Sequence, residues 1–331
     1  MILACAGAAW RTKRLVPVRW AMYDVILANF RAQPGVVATV LTDDMPATRA
    51  AKLDLRNISL VCVETRYPEL ARFAIERCLA GAEFKECLLF TSRLHELPAS
   101  IRQVLIDPIE SVEAYSAFMV QELGAHFSGS HVLVMQWDSF IVDHSQWQGA
   151  FLDCDYIGAP WSHRPVAVGN GGFSLRSRRL YDVLSQLAME QPHPEDYAIC
   201  ELHGEQLQRD FGIRFADAGL ASAFAFECIP PTAPAFGFHG FFNFGRVLDD
   251  AELSAYLAQC DDATMHGPAV RRLIKQLYCS GRYRMAASVL RRRTNGGLAM
   301  LADAFLLAVR AGLHGLRHRR SRAVSPRVKP A

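Results

Sequence analysis

The chain has 331 residues, 51% of them hydrophobic and 21% charged. That is the composition of a folded globular protein and excludes a disordered or collagen-like one. The net charge of +3 conceals an asymmetry. Residues 270–331 hold about 15 of the 36 Lys and Arg and a single acid, Asp303, which leaves the remainder near −11.

The length exceeds one core of ~100–200 residues, so a large α/β domain with extensions, or a domain plus a smaller one, is expected. Nine cysteines without a C-x-x-C pair read as reduced, buried thiols of a cytoplasmic protein, not a disulfide framework. The start, MILACAGAAWRTKR, places its charges after a very short apolar stretch, the reverse of a secretory signal. No stretch is expected to reach the ~18 apolar residues of a membrane-spanning helix. The nearest is Leu298 to Val309, interrupted by Asp303.

Residues 1–55 lack a clean period and read as an extension with one helix over Trp20–Ala32. From Ile58 the pattern sharpens. ISLVCVE (Ile58–Glu64) is a near-continuous apolar run, the sign of a strand buried on both faces. Pro68 in a first turn and apolar residues recurring to Leu79 predict a helix. CLLFTS (Cys87–Ser92) completes a βαβ unit, which implies a right-handed crossover and a mostly parallel sheet. A short strand is predicted over Val104–Ile109, a helix over Ser111–Leu123 and a strand over His131–Met135. Next come a short amphipathic helix before Asp155 and an apolar strand after the glycines at 169, 171 and 172. Helices follow over Ser177–Glu190 and Tyr197–Phe211. GIRFADAGLASAFAFE then reads as strands or a strand–turn pair. Residues 56–250 thus form the α/β domain, and 251–331 a helical basic extension with a disordered tail.

In open α/β sheets ligands bind beyond the carboxyl ends of the strands. Asp138 lies where HVLVM ends, placed to meet a ligand or a metal on a ligand; capping the next turn is the plainer role. Trp161 offers a flat platform for a sugar ring, or simple packing. The glycine cluster permits close backbone approach, yet it is neither a dinucleotide loop nor a P-loop. Glu195 and Asp196 suit the first turn of a helix through its dipole, or supply a general base. His239, between Gly237 and Gly240, is a packed side chain or a ligand. One chemistry uses the whole set. Sugar transfer from a nucleotide donor needs a divalent cation on the diphosphate, a carboxylate to take the acceptor's proton, and a glycine wall beside the sugars. Asp and His suit Mn2+ or Mg2+.

Gln136-Trp137-Asp138-Ser139, the DYIGAPW stretch at 155–161, the GNGGFSLR stretch at 169–176, Glu195-Asp196 and Phe238-His239-Gly240 occur in this order. Over roughly Ile58 to Asn243 they resemble a domain-of-unknown-function family that looks like the GT-A-fold glycosyltransferases. The resemblance implies a GT-A-like, Rossmann-like α/β fold: a mixed, mostly parallel sheet flanked by helices, with the helical basic extension added. It implies a nucleotide-sugar donor held by Thr65, Arg66, Gln136, Asp138, Gly171 and Gly172. An acceptor, glycan or lipid-linked, would lie near Trp161 and Asn170. Asp196, with Glu195 beside it, matches the catalytic acidic pair of inverting members. Asp138 and His239 match the ligands of a divalent cation, Mn2+ or Mg2+. Gln136 departs from the family's D-x-D pattern and removes one charge from that metal site.

The alternative from another class is a non-catalytic carbohydrate-binding or scaffold module of the same shape, which Gln136 favours. The basic tail and the amphipathic stretch Leu298–Leu316 imply an anionic membrane surface, and so a cytoplasmic protein peripheral to the inner membrane. Nucleic acid is disfavoured, because few aromatics interleave with the arginines and the rest of the chain is acidic.

Overall fold

A computed structural model describes residues 51–162, 168–187, 189 and 192–324. The helix expected over Trp20–Ala32 and the tail beyond Val324 lie outside the described residues. The described residues divide into two compact units, one formed by the described part of Pro46–Asp249 with Ala255–Gln259, the other containing Asp250–Ser254 and the described part of Cys260–Ala331.

The first unit is built on a six-stranded sheet. β1 (Leu53–Val63), β2 (Ala82–Thr91), β3 (Arg102–Leu105), β4 (His131–Met135), β6 (Tyr156–Gly158) and β7 (Phe173–Ser177) stand in the order β3-β2-β1-β4-β7-β6. The pairs β1/β2, β1/β4 and β2/β3 are parallel, and β7 runs against both of its neighbours. The sheet is therefore mixed and mostly parallel, flanked by helices. The chain leaves β1 toward β2 and β3 and returns to β4 on the other side of β1. The strand order thus reverses between β1 and β4, which is where α/β sheets open a crevice for ligands.

The central strands bury both faces, and their residues alternate between them. On one side Val61, Phe90 and Val134 meet Phe118, Met119, Leu123, Leu180 and Ile199 in a continuous core. On the other, α1 (Pro68–Gly81) packs its Ala71, Ile75 and Cys78 inward. A small second sheet, in the order β5-β9-β8, lies beside α1. It comprises β5 (Ser139–Ile141), β8 (Ala225–Phe226) and β9 (Gly237–His239). An aromatic cluster holds it, with Phe140 edge-on to Phe238 at 4.8 Å and Phe244 against Tyr256 at 4.4 Å.

Several elements differ from the sequence expectation. β1 begins at Leu53, inside the stretch read as an extension. β3 ends at Leu105, because Pro108 just beyond has no N–H to continue a ladder. The helix expected over Ser111–Leu123 is α2 (Val112–Ala117) followed by a π turn at Phe118–Glu122 and a 3-10 turn at Leu123–Ala125. That wider turn lets Phe118, Met119 and Val120 all bury. α3 (Arg178–Leu184) stops well short of Glu190. The helix expected from Tyr197 splits into α4 (Glu195–Tyr197), a π turn at Ala198–Leu202 and α5 (Gly204–Phe211). The run predicted as strands is mainly α6 (Ala218–Phe224). Asp217 caps it by accepting from Leu220 N at 2.8 Å, and only Ala225–Phe226 extends as strand.

Short helices α7 (Phe244–Val247) and α8 (Asp250–Gln259) follow. The second unit holds α9 (Asp262–His266), α10 (Pro268–Cys279), α11 (Tyr283–Arg293) and α12 (Gly297–Val324), with α12 packed against α10 and α11. Residues Gly297–Gly315 of α12 correct one expectation: this 19-residue segment, with mean hydropathy 1.4, is long and apolar enough to cross a membrane by length and composition.

The loop between β6 and β7 folds back so closely that a Cβ on Gly158 would stand 2.0 Å from the Asn170 carbonyl oxygen. Backbone there cannot yield as a flexible side chain can. Gly158→Ala is expected to lower the unfolding free energy by about 1–3 kcal/mol in urea titration. Gly149→Ala, where a Cβ meets nothing within 4 Å, should stay within about 0.5 kcal/mol of the parent.

Candidate active site

The loops leaving β1 and β4 line a cavity of about 310 Å³ at the point where the strand order reverses. Glu64 shapes its floor. Its Oε1 accepts from Arg66 N at 2.6 Å and Tyr67 N at 2.9 Å, turning the chain into α1 at Pro68. Burial pushes the Glu64 acid above the usual carboxylate range, and those two N–H groups only partly offset it. Thr65 ties three loops together: its Oγ1 accepts from Ile109 N at 3.2 Å and its carbonyl accepts from Ser92 Oγ at 3.4 Å. Arg66 stands over the Tyr67 ring, 5.4 Å from its centroid. Gln136, Trp137 and Tyr115 complete the walls, with the Trp137 ring between Tyr67 at 5.7 Å and Phe241 at 5.8 Å. Thr65, Arg66 and Gln136 therefore share one cavity.

A second group adjoins Gln136. The register of β5 against β9 sets Ser139 opposite His239, which brings the segment after β4 to the end of β9. Asp138 is fixed at both ends: its carbonyl accepts from Gly240 N at 3.1 Å and its Oδ2 from Phe241 N at 2.9 Å. Gly240 has φ +98°, a conformation that a glycine adopts without strain, and it is this turn that aims both N–H groups at Asp138. His239 Nε2 lies 3.1 Å from Gln136 Oε1 and 3.5 Å from Asp138 Oδ1, and its Nδ1 lies 3.5 Å from Glu227 Oε1. Burial alone would lower the His239 pKa, but the charges of Asp138 and Glu227 outweigh it and hold the imidazolium well above the usual range. In return, His239 overcomes the burial of Asp138 and holds its carboxyl low.

Gly171 and Gly172 join this cluster to the acidic pair. Ser139 Oγ accepts from Gln136 N at 2.9 Å and reaches Gly172 O at 2.8 Å, fixing the glycines against the end of β4. A Cβ on Gly172 would sit 2.2 Å from His239 Nε2, and one on Gly171 would sit 2.4 Å from Glu195 Oε1. Both positions therefore require the absence of a side chain. Asp196 accepts from Gly171 N at 3.1 Å through Oδ2 and from Tyr197 N at 2.8 Å through Oδ1. Burial and the neighbouring Glu195 charge push its pKa up to about 6. Glu195 is turned inward instead, 3.2 Å from the guanidinium of the fully buried Arg176. Arg176 also donates through Nε to Ser174 Oγ at 3.0 Å and lies over the Tyr156 ring at 5.1 Å.

Asp138, Gly171, Gly172, Asp196, Gln136 and His239 thus converge, while Glu195 serves the buried Arg176. Asn170 is buried, its N–H donating to Ala159 O at 3.3 Å. Trp161 packs on the core, and a Cβ on Gly169 would stand 2.4 Å from its ring carbon Cη2. Those two residues close the loop wall. Three members of the site receive no role from the sequence: Glu227, Arg176 and Tyr115. Glu227 carries the signature that singles out Asp138, an apolar run ending in an acid. Arg176 is a charge inside an otherwise apolar strand.

Residues 99–239 match the model of a family described as a protein of unknown function, DUF5672. The matched stretch contains Gln136, Asp138, the glycine pair, Asp196 and His239 and leaves out β1 with Thr65 and Arg66. The curated proteins contain no match. Among solved structures, the chain is similar to the mannosyltransferase PcManGT from Pyrobaculum calidifontis in complex with GDP-Man and Mn2+. Identity is 11%, with 91% of this chain and 93% of that one covered, and the TM-score is 0.32. At that level the likeness carries no inference about chemistry.

Among the described residues no group of three or more His, Cys, Asp or Glu side chains is arranged to hold a metal ion. The nearest approach to such a set is at His239, where the third member is an amide. Gln136 Oε1, Asp138 Oδ1 and His239 Nε2 are 3.1–3.5 Å apart in successive pairs. Adjacent ligands of an octahedral cation lie roughly 3 Å apart. Glu227 on Nδ1 would keep the proton there and leave Nε2 free to bind, as carboxylates behind metal-bound histidines do.

Arg176 holds Glu195, Ser174 and the Gly171 loop together with no exposed surface. Arg176→Ala leaves the buried Glu195 carboxylate without its cation and is expected to lower the unfolding free energy by about 3–5 kcal/mol. The double variant with Glu195→Gln should recover part of that loss in the same denaturation series.

Proposed function

We propose that the protein is a glycosyltransferase that moves a sugar from a nucleotide-sugar donor to a glycan acceptor. The observation that carries this reading is one continuous rim. A cavity at the β1/β4 reversal opens beside Gln136, and Gln136, Asp138 and His239 form a polar cluster. The glycine pair then joins that cluster to Asp196.

Each part has a task in sugar transfer. Thr65, Arg66 and the Trp137 wall suit a nucleoside. A divalent cation at Gln136, Asp138 and His239 would offset the negative charge that grows on the leaving diphosphate. Gly171 and Gly172 bring bare backbone against His239 on one side and the Glu195–Asp196 pair on the other, and so offer the sugar a wall of peptide groups. The acceptor hydroxyl attacks the anomeric carbon and the carbon–oxygen bond to the diphosphate breaks. The hydroxyl proton passes to Asp196, whose pKa of about 6 is near that of an effective base at neutral pH. A base on the face opposite the leaving group makes the reaction inverting.

A binding module without catalysis is the second reading, favoured by Gln136 and by the closed His239–Asp138 ion pair. Thermal shift with UDP-, GDP- and dTDP-sugars separates the two. An enzyme is stabilised by one nucleotide sugar more strongly with Mn2+ than without it. A lectin responds to free glycan and to neither nucleotide nor metal, and that outcome sinks the transferase.

Asp196 generates a paired prediction. Its folded pKa stands above the ordinary 3.8, so the folded chain holds a proton that the unfolded chain releases. Unfolding free energy therefore falls as pH rises from 3.8 to about 6. Asp196→Asn should remove that fall in urea titrations across this window, while leaving one of the two N–H groups of Gly171 and Tyr197 without its acceptor. The same variant should lose about 100- to 10,000-fold in kcat, and wild-type kcat/KM should drop as pH falls below about 6.

Glu227→Gln tests the cation arrangement. Mn2+ affinity, read by electron paramagnetic resonance of the free ion, should weaken about 10- to 100-fold, while nucleotide binding without metal stays unchanged.

A further inference from the structure

α12 presents two different faces along its first five turns. Ala304, Leu307, Ala308 and Ala311 are buried within the helical unit, where α12 packs against α10 and α11. Leu298, Phe305, Leu306, Val309 and Leu313 are each between 43% and 71% exposed. Their spacing of 7, 8, 11 and 15 residues from Leu298 puts them on one stripe of the helix. A row of large apolar side chains facing solvent marks an interaction surface.

Charge decides what the surface fits. Asp303, the one acid of residues 270–331, is held by Arg271 at 3.1 Å and by the buried Arg293 at 2.7 Å, so it does not offset the basic residues around the stripe. Arg310 is exposed beside the stripe, and the helix continues to Val324 through Arg317, Arg319, Arg320 and Arg322. A second copy of the chain would bring an equal positive charge against this one. An apolar stripe continued along the same helix by an arginine-rich segment instead matches an anionic bilayer, whose headgroups attract arginine while its acyl boundary takes Leu and Phe. The 19-residue segment is about 28 Å long, enough to span hydrocarbon. Its opposite face, however, is already committed to α10 and α11, so the helix can offer lipid one side only.

We infer that α12 docks the protein flat on an anionic membrane, with Leu298, Phe305, Leu306, Val309 and Leu313 entering the headgroup–acyl boundary and the arginines binding lipid phosphates. This surface is independent of the sugar-transfer reading: its loss leaves turnover of a soluble acceptor unchanged.

The test is co-sedimentation of full-length protein with vesicles of phosphatidylcholine alone or mixed with phosphatidylglycerol. Partitioning onto the anionic vesicles should exceed that onto neutral ones by at least about tenfold and should weaken as salt is raised. The exposed double variant Phe305→Ser with Leu306→Ser should partition about tenfold or more weakly, with an unaltered melting temperature. Replacing Arg317, Arg319 and Arg320 with Gln should reduce binding about fivefold for each residue. Wild-type protein that stays in the supernatant overturns the inference. So does a double variant that binds like wild type, a dimer in light scattering that Leu306→Glu dissolves, or protein that resists carbonate extraction as a spanning helix does.

Discussion

The site depends on the register of one short strand pair. β5 and β9 exchange hydrogen bonds over three residues each, and their pairing sets Ser139 opposite His239. Because side chains alternate along a strand, a slip of one residue would turn His239 to the far side and leave Asp138 facing an aromatic. The register is held by apolar packing. Phe140 and Phe238 meet edge to face, and both contact Phe244. A hydrophobic cluster thereby fixes the position of a charged group.

Two buried cations organise the polar parts. The His239 imidazolium is surrounded by acceptors from two segments: Gln136 and Asp138 after β4, and Glu227 after β8. Arg176 does the same for the glycine loop and the helix start at Glu195. Neither would persist in an apolar interior without its anions, since an unpaired buried charge is costly. The acids beside them divide accordingly. Glu195 neutralises Arg176, whereas Asp196, one residue on, is held by N–H groups and left with a raised pKa. Adjacent carboxylates with different environments have different chemistry available to them.

The strands were legible where sequence and physics agree. His131–Met135 is read to the residue because His131 and the four apolar residues after it are bounded by Ser130 and Gln136. The βαβ unit and the mostly parallel sheet follow from the same patterning, and so does the placement of Asp138 at a strand's carboxyl end. The π turns at Phe118–Glu122 and Ala198–Leu202 were not legible, because apolar spacing scarcely distinguishes a helix from one that is widened by a residue. α6 was misread because its alanines and phenylalanines suit either element, and the deciding cap at Asp217 counts only once the chain has turned. Glu195 and Asp196 looked equivalent in sequence. Their separation required a partner, Arg176, nineteen residues away and wholly enclosed.

The reversal of β7 has a consequence for how the two glycines are anchored. Parallel strands bring only their exits to the rim, so Thr65 and Asp138 follow strands of the central sheet. β7 runs the other way and brings its beginning to that rim, directly after Gly171 and Gly172. The residues just ahead of them are clamped to the edge strand, with the Tyr156 hydroxyl donating to Gly169 O at 2.8 Å and Asn170 lying against Gly158. The glycine pair is thereby a bracket bolted on both sides, its upstream end to β6 and its downstream end to β4.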